Sequence, residues 1–254
     1  MILNYSLSGQ GSTVVLLHGL LGSHQNLATV AKCLAEHYTV INLDLRNHGA
    51  SGHDSEHNYQ LMAEDVIATL DELKINQFVL FGHSMGGKTA MQIALSYPDR
   101  VQKLIVEDIA PVTYPERHKA IFDGLQAIDL TKLNNRQQAD ASLQQYVADI
   151  GIRRFLLTNL SRSEQGWQWK MNLPAIVEQY SNICDFTPPE NSTFSNPVLF
   201  VKGGDSDYIQ AQHQSIIKAL FPNVTAKIIQ GAGHWIHAEK SKIFNKVILD
   251  FIQK

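Results

Sequence analysis

Short aliphatic runs alternate with amphipathic stretches along this chain, the pattern expected of βαβ units around a mostly parallel sheet. Val14 to Leu17 is a near-continuous aliphatic run ending at His18-Gly19. Tyr38 to Leu43 ends at Asp44, Phe78 to Phe81 at Gly82, and Val101 to Val106 at Glu107-Asp108. Val198 to Val201 and Ala226 to Ile229 read as two more strands, ending near Gly203 and Gly231. Open parallel sheets gather their chemistry outside the carboxyl ends of the strands. These strand ends are therefore where the chemistry is expected.

Between the strands, Tyr59 to Leu73 predicts a helix with Leu61, Val66, Leu70 and Leu73 on one face. Lys88 to Ser96, stopped by Pro98, predicts another, and so do Ile209 to Phe221 and the closing stretch Glu239 to Ile252. The stretch from Pro111 to about Phe186 differs in kind. It has no good strand, but helical patterns at His118–Ile128, Arg136–Asp149, Ile152–Leu160 and Pro174–Ile183. Pro188-Pro189 and the polar segment Asn191 to Asn196 then mark the return to the sheet. The expected organisation is an α/β core of residues 1–111 and 187–254, with a helical lid inserted at 112–186.

The chain has 254 residues, 44% of them hydrophobic, which suits a single α/β core of ordinary composition. A formal charge of -3 and no run of Lys or Arg argue against a nucleic-acid partner. Cys33 and Cys184 stand alone, without zinc-ligand spacing, and read as buried free thiols. Met1 to Gln10 lacks the pattern of a secretory signal. No apolar run approaches the ~18 residues needed to span a bilayer. A cytoplasmic protein is the resulting expectation.

Candidate chemistry sits at three strand ends. Gly82-His83-Ser84-Met85-Gly86-Gly87 follows one strand and precedes a helix, the context that a G-x-S-x-G elbow requires. Ser84 must occupy a sharp, strained turn, and side chains at Gly82 and Gly86 would clash there. Gly231-Ala232-Gly233-His234-Trp235 follows the last strand, so His234 is the expected base. His237 competes with it but reads as a helix-end residue, and His83 is expected to pack under the elbow. A tetrahedral oxyanion needs two donors, here the backbone amides of Met85 and of Leu20 in His18-Gly19-Leu20-Leu21-Gly22.

Together with Asp44-Leu45-Arg46-Asn47-His48-Gly49, these motifs resemble those of the α/β-hydrolase superfamily. Glu107-Asp108-Ile109-Ala110-Pro111-Val112 and Gly203-Gly204-Asp205-Ser206 narrow the resemblance to YbfF-type esterases, which are related to a mitochondrial abhydrolase family of animals. The resemblance covers nearly the whole chain from Thr13. It implies the α/β-hydrolase fold and hydrolysis of a small-molecule acyl ester or thioester without metal or organic cofactor.

The acid that orients His234 stays open between two strand ends. In most α/β-hydrolases it follows the penultimate strand, but here Ser206 falls at that place, flanked by Asp205 and Asp207. The other strand end offers Glu107 and Asp108, which alternation sends to opposite sides. The YbfF-type resemblance implies that Asp108 is the acid and Ser206 an auxiliary hydrogen-bonding group. Asp44 is expected to brace the Arg46–His48 loop, and Lys88 to be structural.

In the insertion, Phe122, Phe155, Leu156, Trp167 and Trp169 are candidates to line an acyl pocket. Arg117, His118, Arg153 and Arg154 are candidates to meet an anionic group. Dehalogenases and epoxide hydrolases on this scaffold need a carboxylate nucleophile, which Ser84 argues against. A serine-dependent carbon–carbon hydrolase or a cofactor-free perhydrolase is the alternative. A non-catalytic binding module would be expected to lack either the serine or the base.

Overall fold

A computed structural model describes residues 1–254. Its main sheet is built from β1 (Tyr5–Ser8), β2 (Thr13–Leu17), β3 (Thr39–Leu43), β4 (Phe78–His83) and β5 (Val101–Glu107). A separate two-stranded hairpin, β6 (Leu160–Ser163) and β7 (Gly166–Trp169), precedes β8 (Val198–Gly203) and β9 (Val224–Ile229). The order in the main sheet is β1-β3-β2-β4-β5-β8-β9. Only β1 runs antiparallel, pairing Tyr5 with Leu43 and Ser8 with Val40.

Alternation sends the strand residues to two separate cores. Val15, Leu17, Phe78, Leu80, Leu104, Val106, Val198 and Phe200 face one side, where helices Tyr59–Glu72 and Met85–Ser96 cover them. Val14, Leu16, Val79, Phe81, Ile105, Leu199 and Val201 face the other, under helices Ala28–Leu34 and Ser241–Ile252. The strands read as unbroken aliphatic runs because both faces of the sheet are buried.

Three expectations are corrected. β1 has no aliphatic run, because all four of its residues are exposed at the sheet edge. Residues 160–169 form a hairpin where no strand was expected; Gly166, at φ +113°, lets the chain reverse there. The expected helix Ile152–Leu160 is instead Ile150–Leu156, and the expected helix Arg136–Asp149 stops at Leu143. Boundaries elsewhere also move: Ile209–Phe221 contracts to Gln214–Leu220, and the closing segment divides into Ile236–Glu239 and Ser241–Ile252. Residues 112–186 carry five α-helices besides the hairpin, and buried members such as Phe122, Leu143 and Ile176 join the larger core.

Phe244 is fully buried and meets the Phe81 ring edge-on at 5.9 Å, tying the last helix to β4. Phe244→Ala is expected to cost about 3–5 kcal/mol, through lost burial and the cavity left behind. Equilibrium urea denaturation checks this as a lower midpoint with unchanged slope.

Candidate active site

β4 delivers the chain into a turn so tight that Ser84 adopts φ 52° and ψ -116°. Such a backbone costs on the order of 1–3 kcal/mol for a residue with a side chain. Its surroundings hold it there. A Cβ on Gly82 would lie 2.1 Å from the Gly86 carbonyl oxygen, and one on Gly86 would lie 2.3 Å from the Leu17 oxygen. Only glycine fits at either place. The Ser84 amide donates to Glu107 O at 3.0 Å, anchoring the turn to β5.

The Ser84 hydroxyl lies 2.9 Å from His234 Nε2, and His234 Nδ1 lies 2.7 Å from Asp108 Oδ2. A carboxylate can only accept, so Nδ1 carries the proton and Nε2 is free to accept from Oγ. Asp108 is fully buried with φ 53°, one residue beyond β5. Its Oδ1 accepts from the Gly203 amide at 3.0 Å, and its Oδ2 accepts from Ser206 Oγ. The Tyr208 ring stacks on the imidazole at 4.0 Å and 21°.

Neither neighbouring aspartate reaches His234. Asp207 is exposed and takes both its oxygens to Arg117 Nη1 at 2.9 Å. Asp205 is exposed, and its amide is tied to Ala232 O at 3.0 Å. Glu107 turns the other way from Asp108, and both its oxygens lie 2.9 Å from His237 Nδ1.

Two amides flank Ser84. Met85 opens its helix, so its N–H is one of those with no intrahelical acceptor. The Leu20 amide has no acceptor in the fold. Its loop is held from beneath: Leu21, at φ 58°, donates to His48 Nε2 at 3.1 Å, while His48 Nδ1 donates to Arg46 O. Burial lowers the imidazole of His18 and holds that of His48 well below the usual range, so both stay neutral and can accept. Asp44 braces the Arg46–His48 loop through the amides of His24 (2.7 Å) and Ala50 (2.9 Å). Burial alone would raise its carboxyl, but those bonds and His18 hold it low.

Behind the imidazole stand residues that sequence reasoning assigned minor roles. His83 is buried, and its Nε2 donates to His234 O at 2.9 Å. His237 stands in the first turn of the helix Ile236–Glu239, as expected, and is buried on Glu107. His83, Glu107 and His237 bring ligand-type atoms within 4.8 Å of one another, the one grouping in the chain able to hold a metal ion. Those atoms are largely occupied by bonds within the protein.

Residues 12–241 match the family model described as the alpha/beta hydrolase fold. The chain belongs to the α/β-hydrolase family. It is 40% identical to Esterase YbfF of Escherichia coli over 90% of this chain and 88% of that one. It is 38% identical to the mouse (Mus musculus) sn-1-specific diacylglycerol lipase ABHD11, over 98% of this chain and 85% of that protein. A solved marine microorganism esterase superposes with a TM-score of 0.96 at 37% identity, over 98% of this chain and 99% of that one. With these relatives, this hydrolase is a carboxylic ester hydrolase. No helix is long and apolar enough to cross a membrane.

Two clefts of this hydrolase meet at Ser84. One is walled by apolar residues including Leu27, Ile121, Ile152, Phe155, Leu156 and Trp235. The other is walled by Tyr59, Lys88, Tyr114, Arg117, Tyr180 and Tyr208 among others. Phe155 and Leu156 therefore stand at the site, as expected of them. Trp167 and Trp169 do not; they lie on β7 and pack on the core. Phe122 is buried against Tyr180 at 4.9 Å. Arg153 is buried, with Nε donating to Asp140 and Nη1 to the carbonyls of Val147 and Ala148, so it is held away from the clefts. Arg154 borders a different hollow, beside Asp149 and Glu239. Tyr208 and Tyr180 carried no motif signal, since each lies far in sequence from the groups it contacts.

Lys88 is buried, with Nζ donating to the carbonyls of Cys184 (2.9 Å) and Asp185 (3.0 Å) and facing the rings of Tyr59 and Tyr114. It ties helix Met85–Ser96 to the end of the inserted segment. Desolvation lowers its ammonium from 10.5 to about 7. Between those values the unfolded chain holds a proton that the folded one has released, so stability rises with pH in that window. Wild type is expected to gain up to about 1.4 kcal/mol per pH unit relative to Lys88→Met between pH 7.5 and 9.5. Denaturant midpoints of the two proteins across that range check the slope.

Proposed function

We propose that this hydrolase cleaves acyl esters, and acyl thioesters, through an acyl-enzyme on Ser84. The observation that carries the proposal is the continuous chain from Ser84 Oγ through His234 to the buried Asp108. His234 Nε2 takes the hydroxyl proton as Oγ bonds to the substrate carbonyl carbon, and the carbonyl oxygen becomes an oxyanion beside the amides of Leu20 and Met85. Asp108 holds the imidazole in the Nδ1–H tautomer and stabilises its cationic form. Collapse of the intermediate expels the alkoxide or thiolate, which takes the proton back from His234. Water, activated by the same imidazole, then releases the acid and restores Ser84. Ser206 positions the Asp108 carboxylate. Residues 112–186 serve as the lid, supplying Ile152, Phe155 and Leu156 to the apolar cleft.

The relatives support the ester chemistry: one is named an esterase, another a diacylglycerol lipase. The apolar wall of the first cleft supports an apolar acyl group.

Wild type is expected to hydrolyse p-nitrophenyl esters, with acyl-CoA thioesters in the same panel measuring the thioester branch. Ser84→Ala should abolish both, and a fluorophosphonate probe should add one adduct to wild type and none to Ser84→Ala by intact mass. Hydrolysis that survives in folded Ser84→Ala would overturn the mechanism. Asp108→Asn should lower kcat by roughly 10⁴, because its amide favours the wrong tautomer. Ser206→Ala leaves the carboxylate with Gly203 and His234 and should cost about tenfold or less in kcat. Steady-state kinetics on one ester separate the two.

A further inference from the structure

Among all the residues that wall the two clefts, only three belong to both: Leu20, Ser84 and His118. Leu20 and Ser84 have roles in the reaction proposed above. His118 has none, yet it stands at the same junction, on the opposite wall.

The hydrogen bonds of His118 determine which of its nitrogens carries the proton. Nδ1 contacts the hydroxyl of Tyr180, which also accepts from the Arg117 amide at 3.2 Å. Burial among Phe122, Tyr180 and neighbouring groups, with His234 and Arg117 nearby, brings the imidazole down to about 4, so the ring is neutral at pH 7. Burial likewise keeps the Tyr180 phenol protonated. That buried hydroxyl needs an acceptor for its one proton. The Cys184 thiol lies close to it, but sulfur is a weak acceptor and the imidazole nitrogen a good one. The arrangement that satisfies both groups sends the phenol proton to Nδ1 and leaves the ring proton on Nε2. His118 Nε2 has no partner in the protein, and the ring borders open space in both clefts.

An N–H donor oriented by a buried tyrosine and facing the reaction junction is a recognition group. The ester's own oxygens do not need it. The carbonyl oxygen goes to the amides of Leu20 and Met85, and the alkoxy oxygen receives its proton from His234. We propose that His118 Nε2–H donates to a second, non-reacting acceptor oxygen of the substrate, placed within a few bonds of the scissile ester. The hydrolase then selects oxygenated esters, with an ether, hydroxyl or further carbonyl beside the cleaved bond, over plain alkyl esters of the same shape. The inference rests on Ser84 being the nucleophile, since that serine defines the junction.

Two isosteric pairs test the idea and locate the oxygen. On the alcohol side, 2-methoxyethyl butyrate is compared with butyl butyrate. On the acyl side, ethyl 3-methoxypropanoate is compared with ethyl pentanoate. Each ratio of kcat/KM, ether over alkyl, is divided by the ratio for alkaline hydrolysis, which removes the inductive effect of the added oxygen. The expected result for wild type is a corrected ratio of about tenfold in one pair, the value of one hydrogen bond to a partly exposed donor. His118→Phe should bring that ratio to about one, and Tyr180→Phe should reduce it by releasing the ring orientation. His118→Gln, whose amide can present an N–H at a similar reach, should retain part of it.

A corrected ratio near one in both pairs for wild type, or a preference unchanged in folded His118→Phe, overturns the proposal while leaving the Ser84 mechanism standing. Hydrolysis of the alkyl esters that persists in Ser84→Ala overturns both.

Discussion

The Asp108 carboxylate is the point on which the site depends, because two chain segments far from it in sequence converge on it. It accepts from the Gly203 amide and the Ser206 hydroxyl at the end of β8, and from His234 beyond β9. A fully buried carboxylate is tolerated only when its lone pairs are used. Here three hydrogen bonds from two segments use them, so desolvation and positioning are solved together. If the carboxylate is removed, the imidazole loses its orientation and the β8 loop loses what it closes upon.

Backbone strain follows the same geography. Leu21, Ser84 and Asp108 all have positive φ, and all sit just past the carboxyl ends of neighbouring strands, β2, β4 and β5. Parallel strands in register place their ends side by side, as Leu17 pairs with Gly82 and His83 with Glu107. The sheet thereby brings three strained turns to one edge, where each is pinned by a bond to its neighbour. Leu21 is pinned by His48, Ser84 by the Glu107 carbonyl and Asp108 by the Val201 carbonyl. The rigid sheet supports conformations that none of these loops would hold alone.

What could be read from the chain beforehand was local. Five strands were legible because burial on both faces writes an aliphatic run, the elbow because Gly82 and Gly86 exclude any Cβ, and β9 was found although most of it is exposed at the sheet edge. β1 was not, since an exposed edge strand needs no apolar residues, and neither was the β6–β7 hairpin, whose Trp167 and Trp169 look like pocket residues in sequence. The ambiguity over the acid had the same source. Asp205, Asp207 and Asp108 all end strands, and what separates them is a turn at φ 53° together with Arg117, which draws Asp207 outward. Tyr208 and Tyr180 act across long sequence separations, so nothing in their own neighbourhoods announces them.

In the site and the loops that brace it the protein buries several histidines, and burial decides what they can do. His18, His48, His57 and His83 are all held below the ordinary imidazole range by desolvation, His57 down to about 3. Each can therefore donate at one nitrogen and accept at the other without adding charge. That neutrality matters next to His234. In the proposed reaction a second imidazolium nearby would raise the energy of the cation that His234 becomes, and would compete for Asp108. The same desolvation weakens the charge on Lys88, one helical turn from Ser84. The surroundings supply direction through hydrogen bonds, and leave the carboxylate's field to act on the one imidazole proposed to accept a proton.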